Sequence, residues 1–167
     1  MEQLFYIYMD SLVGRLKLIA SDTALVAVLW ENENPKRVRL ANSIQALQHP
    51  VLLQTQLQLE EYFAAKRQHF ELPLDLESTS FQKQVWAALQ TIPYGQTCSY
   101  KQIAQIIDRE KAVRAVGAAN GKNPISIIVP CHRVIGAAGT LVGFAGGIDK
   151  KQKLLELEAS FIIQAKI

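Results

Sequence analysis

Cysteine is scarce in this chain, with only Cys98 and Cys131 among 167 residues. Two thiols cannot staple a small secreted domain, and they are too few for a cysteine-only zinc site. No apolar run is long enough to span a bilayer, and the opening "MEQLFYIYMDSL" has neither the basic stretch nor the long apolar segment of a secretory leader. The expected setting is therefore soluble and cytoplasmic, away from any membrane. Charge of one sign is also missing. Eighteen Lys and Arg against fifteen Asp and Glu leave +3, which suits nucleic acid but equally suits any solvated enzyme. There is no internal repeat and no low-complexity segment. At 49% hydrophobic and 20% charged residues, the composition fits one ordinary globular domain or two small ones sharing an interface.

What is present divides at about the middle, into residues 1–78 and 79–167. In the first part, "LFYIYMDSLVGRLKLIASDTALVAVLW" reads as strands rich in Ile, Val and Tyr, with "DSLVG" and "ASD" as turns. After Pro50 the spacing of Leu52, Leu59, Tyr62 and Phe63 predicts a helix with one apolar face. "FELPLDLES" is expected to run extended, because Pro73 opposes a helix there. This part offers no catalytic cluster, and His49 and His69 are expected at the surface.

The second part reads as helical. Thr79 with Gln82, and Ser99 with Gln102, fit capping boxes, the first opening a helix with Phe81, Val85 and Leu89 along one stripe. "YKQIAQIID", a charged break "DREK" and "AVRAVGAANG" then suggest a helix-turn-helix. In its second helix Ala112, Ala115, Val116 and Ala119 are expected to pack inward, while Arg114, Ala118 and Gly121 share another face. A helix that reads base edges carries several long polar side chains, whereas this one has a single Arg among residues of little bulk. It could approach a phosphate-lined groove closely and insert one side chain, or simply pack tightly with its Arg solvated. Spacing alone leans to the second reading.

The run "IIVPCHRVI" poses the sharpest question, since a buried strand has no need of a thiol beside an imidazole. "ISIIV" predicts a short strand with Ile125, Ile127 and Val129 on one face, ended by Pro130, with Cys131 at its mouth. A thiol with its ordinary pKa of about 8.5 is mostly protonated at neutral pH, so a nucleophilic role requires that the proton be taken, here by His132. A carboxylate can orient such a histidine. Glu158, on a final helix that Asp149 could cap, is the natural candidate. The plain alternative is a buried Cys131, a surface His132 and a solvated Glu158, and adjacent strand residues would point to opposite faces.

Four segments in this order, "IPYGQTCSY", "RAVGAANGKNP", "VPCHRVIG" and "GFAGG…LLELE", closely resemble the O6-alkylguanine-DNA alkyltransferases. The likeness is strong over residues 79–160 and, before that, lies only in general architecture. It implies an α+β fold: an N-terminal sheet with a covering helix, then a C-terminal helical domain whose helix-turn-helix carries the active-site cysteine. It also implies direct reversal of DNA damage, by irreversible single-turnover transfer of the alkyl group from O6-alkylguanine, and from O4-alkylthymine, to the protein. By this resemblance Cys131 is the alkyl acceptor, His132 deprotonates it through a water molecule, and Glu158 polarises His132. Asn123 braces the water network and the turn. Tyr100 assists base rotation and donates a proton towards guanine N3. Arg114 enters the base stack from the minor groove, with Ala112 and Val113 beside it at the DNA. Backbone groups of Cys131 and Val134 hold the guanine edge, with the Ala145 N–H near O6. Some members carry Tyr-Ser where this chain has Phe144-Ala145, so no hydroxyl contact is expected there. The implied partner is double-stranded DNA bearing O6-alkylguanine, bound through the minor groove by a monomer, with no cofactor. A zinc site of some members does not carry over, because residues 1–78 contain no cysteine.

The residues themselves agree with this chemistry. Attack on an alkyl carbon needs a thiolate and a stabilised leaving group, but no oxyanion hole. O6 faces inward in a duplex, so the nucleotide must be extruded, at a cost of a few kcal/mol. The glycines of "GTLVGFAGG" suit a wall whose backbone approaches a planar base. Two rival classes are weighed against it. A non-catalytic lesion-binding module on this scaffold would lack the acceptor cysteine, and a Cys-His hydrolase would carry an oxyanion loop around its thiol.

Overall fold

The structure, a computed structural model, describes residues 2–165. Strands β1 (Leu4–Met9), β2 (Leu16–Ala20) and β3 (Leu25–Trp30) form antiparallel hairpins. In the first turn Gly14 sits at φ +92°, a conformation that favours glycine, and the Ser11 hydroxyl donates to the Gly14 carbonyl at 2.7 Å. A short β4 (Ser43–Gln45) pairs parallel to β1, giving the sheet order β3-β2-β1-β4. Helix α1 (Pro50–Phe63) begins with Pro50 at its first turn, and the Val51 N–H donates to His49 Nδ1 at 3.2 Å. His49 is thus a half-buried cap, not the free surface residue expected, whereas His69 is exposed as expected. The inner strand face, with Ile7, Met9, Leu16 and Leu18, packs with Leu52, Leu59 and Tyr62 of α1 in one core. Removing each such side chain from water stabilises the fold by roughly 1.5–3 kcal/mol.

The helical part opens with α2 (Ser80–Leu89), where Thr79 accepts from the Gln82 N–H at 3.2 Å. The expected box stays half-formed because the Gln82 side chain turns instead to the Ser78 hydroxyl. At α3 (Tyr100–Ile106) the box is complete: Ser99 Oγ accepts from the Gln102 N–H at 3.0 Å, and the Ser99 N–H donates to Gln102 Oε1 at 2.7 Å. Just before it, β5 (Cys98–Ser99) pairs parallel to β6 (Val134–Ile135), below the active-site turn. Helix α4 (Val113–Gly121) completes the helix-turn-helix and packs on α2 and α3. Its buried face is narrower than expected: Val116 and Ala119 are buried, Ala112 only half, and Ala115 is exposed. The Trp86 indole N–H donates to the Ala119 carbonyl at 2.9 Å, which fixes α4 on α2. The last helix, α5 (Ile148–Ala165), already includes Asp149, so that residue lies in its first turn and is not the cap expected.

The two parts share one core and are also joined through backbone. The outer edge of β3 is paired by the extended chain at Pro73–Asp75 and by the start of the active-site segment. The Leu25 N–H donates to Pro73 at 2.8 Å, the Asp75 N–H to Leu25 at 2.9 Å, and the Val28 N–H to Pro124 at 2.9 Å. The Trp30 indole N–H reaches Ser126 Oγ at 3.0 Å. The mixed α/β architecture agrees with the sequence expectation, but Cys131 lies beyond the helix-turn-helix, in a turn that follows α4.

Candidate active site

The segment expected to be a strand is a tight turn. The Val129 N–H donates to the Ile125 carbonyl at 3.0 Å, and Ile127 takes φ +74°, a left-handed conformation that is costly for a β-branched residue. Asn123 holds it from inside. Its Nδ2 donates to the Val129 carbonyl at 2.8 Å, and its Oδ1 accepts from the Ile125 N–H at 3.0 Å. Arg37 reinforces the same spot, donating to the Asn123 carbonyl at 2.8 Å while its other face is paired with Glu33.

After Pro130 the chain makes one 3₁₀ turn, Cys131–Arg133. With three residues per turn, consecutive side chains diverge by about 120°. Cys131 and His132 can therefore both be buried, which a strand would forbid. Cys131 is 4% exposed, His132 not at all, and Arg133 lies against the same interior.

Glu158 of α5 gathers the donors of this interior. Its Oε2 meets His132 Nε2 at 2.6 Å and accepts from the Tyr62 hydroxyl at 2.6 Å and from Arg133 Nη2 at 3.2 Å. Its Oε1 accepts from Arg133 Nε at 2.8 Å and from the Gly95 N–H at 3.2 Å. Arg133 is itself fixed by donating to the Ile92 carbonyl at 2.8 Å. Burial by itself would raise the Glu158 carboxyl, but His132 and Arg133 together outweigh it and hold the group at about 2. An ionised carboxylate only accepts, so Nε2 of His132 carries the proton and Nδ1 holds the lone pair. That Nδ1 is buried with no hydrogen-bond partner among the described residues. Burial lowers His132 despite Glu158, and burial raises the Cys131 thiol despite Asn123, Arg37 and Lys151. The resting pair is therefore neutral thiol and neutral imidazole.

Acid should undo this arrangement. Glu158 and His132 both have folded pKa values below their ordinary ones, so each contributes stability that is present above its unfolded pKa and lost as pH falls. The melting temperature is expected to decline from about pH 6.5 downward and to drop further below about 4.5, for a total on the order of a few kcal/mol. Thermal melts across that range check it, and a flat profile down to about pH 3 contradicts it.

The loop from Gly136 to Gly147 forms a wall near the thiol. The buried Lys151 of α5 pins it, donating to the Val134 carbonyl and, at 3.2 Å, to the Val142 carbonyl. Phe144 meets Trp30 edge-on at 5.3 Å, and a Cβ at Gly146 would lie 2.6 Å from the Trp30 ring, so only glycine fits there. The Val134 N–H is already bonded to the Cys131 carbonyl. Of the Val134 backbone groups expected to hold a base edge, only the remaining lone pair of its carbonyl is open.

Cys131, His132, Glu158 and Asn123 thus converge in one buried cluster, as expected from the sequence. Tyr100 stands half-buried near it, its ring against Gly117, and burial raises its pKa, as does Cys131 whenever it is ionised. Ala145 is half-buried in the loop. Arg114 and Val113 are exposed at the first turn of α4, and Ala112 precedes them without a side-chain cap. Four residues of the site were given no role by sequence: Arg133, Tyr62, Lys151 and Arg37. Arg133 left a signal, since a guanidinium inside an apolar run must be buried with a partner or turned out. Among the described residues no cluster of three His, Cys, Asp or Glu side chains could hold a metal ion, and no helix is long and apolar enough to cross a membrane.

Known proteins share this layout. Residues 4–76 match the family model of the 6-O-methylguanine DNA methyltransferase ribonuclease-like domain, and residues 80–160 that of the 6-O-methylguanine DNA methyltransferase DNA binding domain. The methylated-DNA–protein-cysteine methyltransferase of Mycobacterium tuberculosis is 47% identical over 157 residues, spanning 93% of this chain and 92% of its own. The protein of the same name from Mycolicibacterium paratuberculosis is 46% identical over 155 residues, spanning 92% and 91%. The crystal structure of Mycobacterium tuberculosis OGT in complex with DNA superposes with a TM-score of 0.87 at 44% identity, covering 94% of both chains. With both parts of the fold matched in order, and close relatives spanning nearly its whole length, this chain belongs to the methylated-DNA–protein-cysteine methyltransferase family.

Proposed function

We propose that the chain repairs O6-alkylguanine in double-stranded DNA, and O4-alkylthymine, by moving the alkyl group irreversibly onto its own Cys131. The observation that carries this reading is the 2.6 Å bond between His132 Nε2 and the ionised Glu158, which leaves a buried Nδ1 lone pair one residue from a buried thiol. In this mechanism the Cys131 proton passes to Nδ1 through a water, and Glu158 stabilises the imidazolium so formed. Sγ then attacks the alkyl carbon, forming an S–C bond as the C–O6 bond breaks. The electron pair flows into the guanine, and Tyr100 supplies a proton towards N3, so neutral guanine leaves. The Tyr100 phenolate recovers its proton from the imidazolium through solvent. Asn123 keeps the turn rigid, and the Val134 carbonyl and Ala145 N–H line the base edge. Each chain carries every group this needs, consistent with action as a monomer.

Delivery of the base falls to α4. Its exposed first turn, with Ala112, Val113 and Arg114, would enter the minor groove, where an inserted side chain offsets part of the lost stacking. After reaction with a duplex bearing O6-methylguanine, peptide mapping should find the methyl group on Cys131. Finding it on Cys98 instead would overturn the assignment.

Arg114→Ala separates delivery from chemistry. It should slow repair of duplex DNA at least about tenfold, the scale of one lost stabilising contact of about 1.4 kcal/mol, while sparing reaction with free O6-benzylguanine, which needs no unstacking. Second-order rates on the two substrates check this. Equal losses on both would move Arg114 to a structural role.

A further inference from the structure

One donor to Glu158 comes from outside the helical part. Tyr62 lies on α1, fully buried, and its hydroxyl donates at 2.6 Å to the same Oε2 that faces His132. We propose that Tyr62 is a positioning residue for alkyl transfer: its hydroxyl orients the Glu158 carboxylate and draws off part of its charge, setting how tightly His132 holds a proton. The inference rests on reading Cys131, His132 and Glu158 as a relay, and it gives the sheet part of the molecule a share in the chemistry.

Among the described residues the hydroxyl has no other partner. The Tyr62 ring is held by Phe63, Phe70 and Tyr94, with centroids 5.4, 5.6 and 6.2 Å away. A phenylalanine would fill the same space, and burying a hydroxyl costs free energy unless it is bonded. Packing alone therefore does not account for the phenol. Burial and the nearby carboxylate raise its pKa well above the ordinary value, so it remains a donor wherever the protein is folded. Hydrogen bonds to an ionised acceptor are the strong ones, and this one competes with the His132 N–H for the charge on a single oxygen.

The direction of the effect follows. The charged or titratable groups around the relay are Glu158 and Lys151 of α5, Cys131 and Arg133 of the turn, Arg37 between β3 and β4, Tyr100 of α3, Tyr94 after α2, and Tyr62. Of these, Tyr62 can lose its polar atom as Tyr62→Phe without any change in formal charge. Glu158 would then keep more charge for His132, and the imidazolium would be favoured. His132 must be neutral to take the thiol proton, so the acid limb of the rate profile should move to higher pH.

The experiment measures alkylation of wild type and Tyr62→Phe by free O6-benzylguanine between about pH 5 and 9, read as intact mass, beside an NMR titration of the His132 ring. The variant is expected to show both midpoints raised by about one unit, a tenfold change in proton affinity, and a plateau rate several-fold lower. A merely structural tyrosine would lower the melting temperature and leave both midpoints in place, and that result overturns the proposal. If wild type itself gains no adduct on Cys131, it is the relay reading that fails, while the His132 titration still decides whether Tyr62 sets its proton affinity.

Discussion

Given an excess of duplex carrying O6-methylguanine, the protein is expected to gain the mass of one methylene per chain and then stop. The acceptor becomes a thioether, a bond that the neighbouring imidazole and carboxylate do not cleave. Cys98, the other thiol, is half-buried on β5, and burial raises its pKa as well. Product should therefore plateau at one equivalent, with the label on Cys131 alone. Cys131→Ser keeps the shape of the turn but replaces the thiol by a far weaker nucleophile, so transfer should fall by several orders of magnitude. Cys98→Ser should react at the wild-type rate. Sustained turnover beyond one equivalent would contradict the assignment, as would activity retained in Cys131→Ser.

Glu158→Gln is expected to damage both stability and rate. The carboxylate receives His132, Arg133, Tyr62 and the Gly95 N–H. A carboxamide offers one acceptor oxygen to those donors and turns an NH₂ group towards the rest. It also leaves the Arg133 guanidinium buried without its counter-charge. Breaking a buried pair in this way costs about 3–5 kcal/mol, so the melting temperature should fall by many degrees. Transfer at neutral pH should slow by about 10²-fold or more, the range expected on losing general-base assistance. The pH response should also invert relative to Tyr62→Phe, because removing the carboxylate takes away what holds a proton on His132. The rate should recover partly towards the ordinary thiol pKa of about 8.5, while DNA affinity holds, since Glu158 is fully buried on α5 and is not part of α4. Rates between about pH 6 and 9, measured below the melting temperature with DNA binding alongside, decide it. A mutant with full stability and an unchanged profile would return Glu158 to the role of an ordinary helix carboxylate.

The sequence was informative where the signal is local. The hairpins of β1 to β3, the stripe of α1, the Ser99–Gln102 box and the stop of α4 at Gly121 each follow from residues within one or two turns of each other. Reading failed where the chain departs from regular periods. The alternate apolar positions Ile125, Ile127 and Val129 imitate a strand, yet a left-handed Ile127 and the Asn123 clamp make the segment a turn. β4 escaped notice because three residues at a parallel edge leave almost no pattern. The core of the site was named from Cys131, His132, Glu158 and Asn123, but its supports were not. Tyr62 and Glu158 are 96 positions apart, and Tyr62 sits in a helical stripe where any large apolar residue would satisfy the period. Its hydroxyl has meaning only once the helices are packed.

The pairing along β3 has a consequence for how the molecule behaves among copies of itself. An unpaired edge strand is a template for adding a strand from a neighbouring chain. At the far side of the sheet that hazard is small, because β4 is only three residues long. At the near side Leu25 and Val28 are fully buried, and their backbone is occupied by Pro73–Asp75 and by Pro124–Ile125. The lead-in to the reactive cysteine thus doubles as a guard rail. A sheet part produced alone would keep Pro73–Asp75 but lose the cover at Val28 and present part of its apolar border, whereas the intact chain closes that stretch with the segment that leads to Cys131.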